Sequence, residues 1–411
     1  MIKPRKLAFI AIDGPVPMGK IEQQRKRRYK KIQDDSFIKK LKENHDVPVI
    51  NTFNSNKITP GTVFMSKLCN RIKNLVSLNA FNSHTSHGKF MVFFSDSNTP
   101  GEGEHKIINF IRNNTNSPNI VIYGLDADLI VLSMQFQCNI KLLREPQHTS
   151  SEIHDFNADK EFVYIDIEKY KTSVITEFNL SSYEKDKIVK DITLVSFFGG
   201  NDFVEPFLNT RIREKNNYNK LINTYISILF KTQEYFVENN TINLTFLKLF
   251  IEQLSETEDS FVKKKSMSFS FSQNEQFTCE YDRELSNYYH SSYTNKNNPF
   301  HIYYENTLKS AVNYKLPHAS WKKQYYSYFC SDESIDTLCE DYMKSVVWTL
   351  SYYLQEGIPS WNFYYKHRVA PCASDVLQFI NQQSYTLSAK FDVGEVITPI
   401  EQLLIVTPNQ N

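Results

Sequence analysis

The chain has 411 residues, 41% of them hydrophobic and 23% charged, an ordinary globular composition with room for a catalytic domain and a second lobe. Its 47 basic and 46 acidic residues leave a net charge of +1, so bulk charge points to no partner and only the placement of charges is informative. The six cysteines (Cys69, Cys138, Cys279, Cys330, Cys339, Cys372) have no CxxC spacing, which excludes a zinc site or a disulfide framework and predicts thiols in a reducing compartment. No apolar run reaches the ~18 residues of a membrane span and no signal peptide is visible, so an intracellular, soluble protein of cytoplasm or nucleus is expected.

In chain order, Leu7 to Ile12 is a continuous apolar run ending at Asp13, the pattern of a buried parallel strand that emerges into a site. Residues 21–40 form a basic helix, 51–60 a polar loop and 62–78 a second helix. Phe90 to Phe94 reads as a strand, followed by a loop with Pro100, Gly101 and Gly103 and a helix over 105–112. Ile120 to Tyr123 is a third strand leading to Asp126 and Asp128; a helix starts near Ile130, and Ile140 to Leu143 is a fourth strand. Ile192 to Phe198 is a further apolar run, stopped by Gly199, Gly200, Asn201 and Asp202. Beyond residue 215 the pattern turns helical and aromatic-rich. Phe261 to Gln276, with Lys263, Lys264 and Lys265, reads as an exposed or disordered connection, and 341–355 as another helix. Alternating strands and helices predict an α/β fold with a mostly parallel sheet flanked by helices, and a C-terminal helical lobe.

Ligands of such sheets sit outside the carboxyl ends of the strands. Four apolar segments deliver Asp13, Glu102, Glu104, Asp126, Asp128 and Asp202 to that edge. Taken singly, an Asp after a strand is more often a helix N-cap. Six acids converging would repel one another without a cation, and hard divalent ions take hard oxygen ligands, so a Mg²⁺ (or Mn²⁺) site for phosphodiester hydrolysis is expected. The pairs 102/104 and 126/128 each skip one residue, which in extended backbone puts both side chains on one face. Asp96, in the same loop as Glu102, is expected to form a turn.

Lys20, Gln24, Arg27 and Arg28 fall at i, i+4, i+7 and i+8, one face of a helix beginning beside Asp13. A basic run is usually a solvated face; next to a metal site, this face is expected to hold a terminal phosphate. Near the C-terminus Trp361, Phe363, Tyr364, Tyr365, His367 and Arg368 lie within eight residues, where core packing competes with stacking on unpaired bases.

The blocks AIDGPVPMGKIEQQRKRRYKK, ITPGTVFMSKL, DSNTPGEGEHKIINFIR, IYGLDADLIVLSM, LLRE and FFGGNDFVEPF occur in an order that resembles XRN-type 5′→3′ exoribonucleases. DYMKSVVWTLSYYLQEGIPSWNFYYKHRVAPCASD and TPIEQLLIVTP resemble the end of that family's second conserved region. The resemblance implies a PIN/FEN-like nuclease core over 1–214, a variable region over 215–335 and a second conserved region over 336–411 that packs on the core. It implies metal-binding roles for Asp13, Glu102, Glu104, Asp126, Asp128 and Asp202, and a 5′-phosphate pocket of Lys20, Gln24, Arg27 and Arg28. Base stacking is implied for Trp361; where the family has a second tryptophan, this sequence has Phe363. The implied substrate is single-stranded RNA with a 5′-monophosphate. Family members also carry, upstream of the position matching Met1, a stretch with a strand, another metal-binding Asp and a His that stacks on RNA. Its absence from this sequence leaves a truncated or misassigned start, a stretch supplied by another chain, or a degenerate protein as expectations. Two alternatives accompany the exonuclease: a catalytically impaired RNA-binding relative and a structure-specific DNA nuclease.

Overall fold

The computed structural model describes residues 6–49, 53–78, 90–114, 119–145, 162–212, 216–262, 279–297, 318–330, 333–355, 357–382 and 389–407, with residues 2, 4, 214 and 387. Of the exposed or disordered connection expected at 261–276, Phe261 and Val262 instead end a short helix, with Val262 buried in the core, and residues 263–276 lie outside the described residues.

The first half alternates as expected. Strand β1 (Leu7–Ala11) leads to helix α1 (Met18–Asn44), then α2 (Val63–Ser77), β2 (Met91–Ser95), α3 (Gly103–Asn113), β3 (Asn119–Tyr123), α4 (Asp128–Met134) and β4 (Asn139–Arg144). β1 pairs in parallel with β2, Leu7 opposite Met91 and Ala11 opposite Ser95. β3 pairs in parallel with β4, and β5 (Val163–Asp166) adds an antiparallel edge to β4. Among the described residues the two strand groups are separate hydrogen-bonded sheets. Continuous apolar sequence led to the expectation of strands buried on both faces. Instead every residue of β1 is half-buried, and Phe93 of β2 and Val121 and Tyr123 of β3 are exposed, because helices cover these sheets unevenly. On the covered side Phe110 of α3 stacks on Phe9 with ring centroids 4.4 Å apart.

The second half is helical: α5 (Ile167–Glu177), α6 (Lys185–Phe197), α7 (Asn217–Thr232), α8 (Leu244–Ser255), α9 (Glu280–Asn297), α10 (His318–Phe329), α11 (Ile335–Leu354), α12 (Ala373–Ile380) and α13 (Pro399–Val406). A two-residue hairpin, β6 (Val237–Glu238) and β7 (Thr241–Ile242), turns through Asn239 and Asn240, both at positive φ, the backbone that asparagine tolerates best after glycine. The apolar run 192–198 was expected to be a strand. It is the last part of α6, which is buried nearly all round through Ile188, Val189, Ile192, Leu194, Val195 and Phe197. A helix without a polar face has no amphipathic period to read, and a short apolar run is then indistinguishable from a strand.

Phe198, Phe236, Phe246 and Phe250 pack together behind α6, and Tyr342 and Trp348 of α11 close the core on the other side. α11 starts at a Ser334 cap, whose hydroxyl accepts from Thr337 N–H, and runs its buried Trp348, Tyr352 and Tyr353 beneath the strand ends. α13 begins with a capping box between Thr398 and Glu401, has Pro399 at its first turn, and lies against α1. No helix of the described residues is long and apolar enough to cross a membrane.

Candidate active site

The acidic site is assembled by two interlocked loops. Ile12 N–H continues the β1–β2 pairing by donating to Ser95 O at 3.0 Å. Gly14 N–H then donates to Gly101 O at 3.0 Å and Gly101 N–H to Pro15 O at 2.7 Å. A Cβ at position 14 would lie 1.8 Å from Thr99 O, so the backbones approach this closely only with glycine there. The result seats Asp13 at the start of α3, where its Oδ1 accepts from Gly103 N–H at 2.6 Å, an anion on an orphan helix donor. Asp96 forms the expected turn, its Oδ1 accepting from Asn98 N–H at 3.0 Å and Thr99 N–H at 3.1 Å.

The skip-one pairs reach the site by another route than alternation along extended backbone. Glu102 is the extended N-cap of α3 and Glu104 lies in its first turn. Asp126 precedes α4, accepting at Oδ1 from the N–H of Asp128, the first residue of that helix. Helix starts, not strand pleats, aim both pairs. Asp202 arrives in the loop after α6, beyond the tight turn Gly199–Gly200.

Lys20, in the first turn of α1, joins these pieces. Its buried ammonium pairs with Glu102, lies 2.6 Å from Asp202 and reaches Glu104 at 4.0 Å. Burial alone would lower the Lys20 pKa, but Glu102, Asp202 and Glu104 overcome it and hold the ammonium charged well above its ordinary range. One lysine does not balance the acids. Burial, then the charges of Glu102, Asp13 and Asp126, pushes the Glu104 carboxyl up to about 9 against the pull of Lys20. Burial and Asp126 likewise push Asp128 up to about 6. All six predicted acids are thus linked electrostatically in one locality, with Asp13 and Asp126 exposed and Glu102 buried. A site that drives its own carboxylates toward protonation, built from hard oxygen donors, fits a divalent cation. Glu333, Asp341 and His367 form a separate cluster, but Lys366 lies 3.1 Å from Glu333 and 3.6 Å from Asp341 and already supplies positive charge there.

The predicted phosphate residues share α1 but not one environment. Lys20 is taken up by the acids. Gln24 is buried and accepts at Oε1 from Gln402 of α13 at 3.1 Å, while Gln402 Oε1 accepts from Val16 N–H at 2.9 Å. Arg28 donates through Nη2 to Thr59 Oγ at 2.6 Å; its Nη1 is buried with no partner. Burial, and then Arg27 beside it, lowers the Arg28 pKa. Arg27 is exposed. Trp361 is half-buried and held by its backbone, with N–H donating to Val393 O at 2.7 Å and O accepting from Met18 N–H at 2.9 Å. Phe363 instead packs inward against Trp348, centroids 6.2 Å apart, and Phe391.

Several residues of the site were not among those expected from the sequence. Tyr352 of α11 donates to Glu102 Oε1 at 2.8 Å, both groups buried. The Tyr353 hydroxyl acts on Asp128, lowering its pKa, but meets no partner at full hydrogen-bond geometry. His105 stacks on Tyr352 at 3.8 Å, and burial lowers its pKa to about 3, so it is neutral. Lys106 binds the strand-end carbonyls of Ile12 at 2.7 Å and Asp96 at 2.9 Å, and burial lowers its pKa to about 8. His105 and Lys106 stand next to Glu104 in the sequence and could have been noticed there. The tyrosines are 250 residues away and could not.

Fold and site together define an α/β protein with acids gathered at strand and helix ends under a helical lobe. Comparison with known families agrees. Residues 1–146 match the family model described as the XRN 5′-3′ exonuclease N-terminus, and residues 182–315 and 304–411 match the Xrn1 helical domain. The chain belongs to the XRN family. It is 29% identical to human (Homo sapiens) 5′-3′ exoribonuclease 1, over 99% of this chain and 26% of that protein. It is 27% identical to 5′-3′ exoribonuclease 1 of Saccharomyces cerevisiae, over 100% of this chain and 34% of that protein. With 5′-3′ exoribonuclease 2 of Arabidopsis thaliana it shares 25% identity, over 100% of this chain and 52% of that protein. The chain therefore spans between about a quarter and a half of the length of these relatives.

Proposed function

We propose that this chain is the catalytic region of a divalent-metal-dependent 5′→3′ exoribonuclease that releases mononucleotides from 5′-monophosphorylated single-stranded RNA. The observation that carries this reading is the acidic cluster with too little positive charge of its own. Asp13, Glu102, Glu104, Asp126, Asp128 and Asp202 would hold Mg²⁺ or Mn²⁺. When bound, such ions supply an activated water and countercharge for the leaving oxygen. In this reading 1–214 carries the chemistry, 215–335 is variable, and 336–411 braces the site.

The remaining roles belong to the chain's own residues. The Nη1 of Arg28 has no partner within the protein, and Arg27 adds an exposed guanidinium beside it for a phosphate oxygen. Gln24 is held by Gln402, which fixes its amide next to them. Lys20, paired with Glu102 and Asp202, shares α1 with this face and is assigned to the phosphate as well as to the carboxylates. A cap or triphosphate brings extra bulk beyond the terminal phosphate, and exclusion in this reading is steric. Trp361, anchored by its backbone at both sides, offers a ring to an unpaired base.

The deciding assay is Mg²⁺-dependent mononucleotide release from 5′-monophosphate RNA, beside 5′-triphosphate RNA and an Asp126→Ala control. Release is expected from the monophosphate substrate only, with the variant slower by roughly 10³-fold. Equal degradation of triphosphate RNA removes the phosphate-pocket assignment. RNA binding with no release under any condition replaces the nuclease with a binding relative.

A further inference from the structure

Residues 47–95 contain no Asp or Glu, in a chain that has 46 of them among 411 residues, and they carry Lys57, Lys67, Arg71, Lys73 and Lys89. At the chain's own frequency about five acids would fall there. A solvated basic helix normally interleaves carboxylates, as α1 does where Lys26 meets Glu22 and Lys31 meets Asp35. Helix α2 has none. It turns Met65 and Cys69 inward, with Cys69 Sγ 3.3 Å from Ser97 Oγ. On its other side Phe64, Lys67 and Arg71, at i, i+3 and i+7, are all exposed. Phe53, from the loop before α2, is 56% exposed and leans on Phe64, the ring centroids 5.3 Å apart. Among the described residues Lys57, Lys67 and Arg71 make no ion pair, whereas Lys73 pairs with Asp96.

Charge and rings together narrow the partner. Cations without countercharge call for an anion. Solvent-facing aromatic rings among them suit unpaired bases, which stack on such faces whatever their sequence, while the cations meet the phosphates. A purely acidic surface would satisfy the cations and leave the rings in water; a single strand of RNA satisfies both. The placement agrees. Thr59, two residues after Lys57, accepts from Arg28 Nη2 at 2.6 Å, so the loop bearing Lys57 runs beside the arginine assigned above to the terminal phosphate. We propose that Phe53 and Phe64, with Lys57, Lys67 and Arg71, form a second contact surface for single-stranded RNA, holding nucleotides beyond the reacting 5′ end. This goes beyond the acidic site and rests on the RNA reading of the chain.

Binding is measured on the full chain in EDTA, where no cleavage occurs, by fluorescence anisotropy with 5′-phosphorylated RNAs of about 20 and about 4 nucleotides. Lys67→Glu combined with Arg71→Glu should weaken binding of the long RNA roughly tenfold and flatten its dependence on salt. Phe53→Ala combined with Phe64→Ala should also weaken it roughly tenfold, with the salt dependence kept. Both double variants should bind the short RNA as the unaltered chain does, which also shows that they fold. Unchanged affinity for the long RNA in either double variant overturns the proposal and leaves this face to a protein partner. Equal loss for long and short RNA overturns it too, because the effect then lies at the 5′ end. Long RNA held through this face by a chain that releases no nucleotide in Mg²⁺ keeps the proposal and removes the exonuclease reading. Nucleotide release by a chain whose variants bind long RNA unchanged does the reverse.

Discussion

Two regions bury carboxylates in opposite ways. In the helical lobe each buried acid has its donors assembled around it. Asp191 accepts from Tyr225 Oη–H at 2.9 Å, Phe236 N–H at 2.9 Å and Val237 N–H at 2.7 Å. Glu258 accepts from Ala373 N–H at 2.6 Å and Ser374 Oγ–H at 2.7 Å, closing the start of α12. Burial raises the lobe acids as well, Asp191 to about 7, but there the assembled donors oppose it. At the strand ends the acids outnumber their donors, and neighbouring carboxylates add to burial in pushing Glu104 and Asp128 toward protonation. Acids that serve stability are saturated by the fold. Acids left in excess are held for something the fold itself does not supply, at a cost to its own stability.

That contrast predicts effects of opposite sign. Asp191→Ala strands three buried donors and should lower unfolding free energy by about 3 kcal/mol, read by urea denaturation. Asp128→Asn keeps the shape but removes a repelled charge; in EDTA at pH 8 it should raise stability by about 2 kcal/mol while abolishing nucleotide release. Loss of stability in that variant would mean that Asp128 is a saturated structural acid like Asp191.

His105 sharpens the comparison through pH. Its pKa is about 3 in the fold and near the ordinary 6.5 in the unfolded chain, so unfolding takes up a proton between these values. The stability it contributes is complete above pH 6.5 and is lost as pH falls toward 3. Between pH 6.5 and 5 the protein should lose about 2 kcal/mol that His105→Phe, which keeps the stack on Tyr352, does not lose. Matching pH profiles for the two proteins would show that His105 is protonated without cost. The smallest effect expected is at Tyr352. Tyr352→Phe removes one hydrogen bond from Glu102 and should weaken Mg²⁺ or Mn²⁺ binding about tenfold by calorimetry, with little change in fold. An unchanged affinity would confine Tyr352 to packing.

The strand, turn and helix signals before residue 145 were legible because they are local. Apolar runs ended at acids, Asp96 sat where a turn was needed, and the 3.6-residue period put Lys20, Gln24 and Arg28 on α1. The buried helix ending at Phe197 was misread because it has no polar face to give it a period. The route of the paired acids was misread because a helix start and an extended strand both accept a skip-one spacing.

From its sequence alone, this protein's acids, their order along the chain and the basic face of α1 were determined, because residue type and spacing are properties of a short stretch. Which of them share a site, and with what partners, was decided only by tertiary structure. Lys20 became a partner of Glu102 and Asp202, Gln24 was tied to Gln402, and Tyr352 came to hold Glu102 across 250 residues. Contacts of that range depend on how helices pack, and packing responds to the shape of the whole core, not to any local pattern.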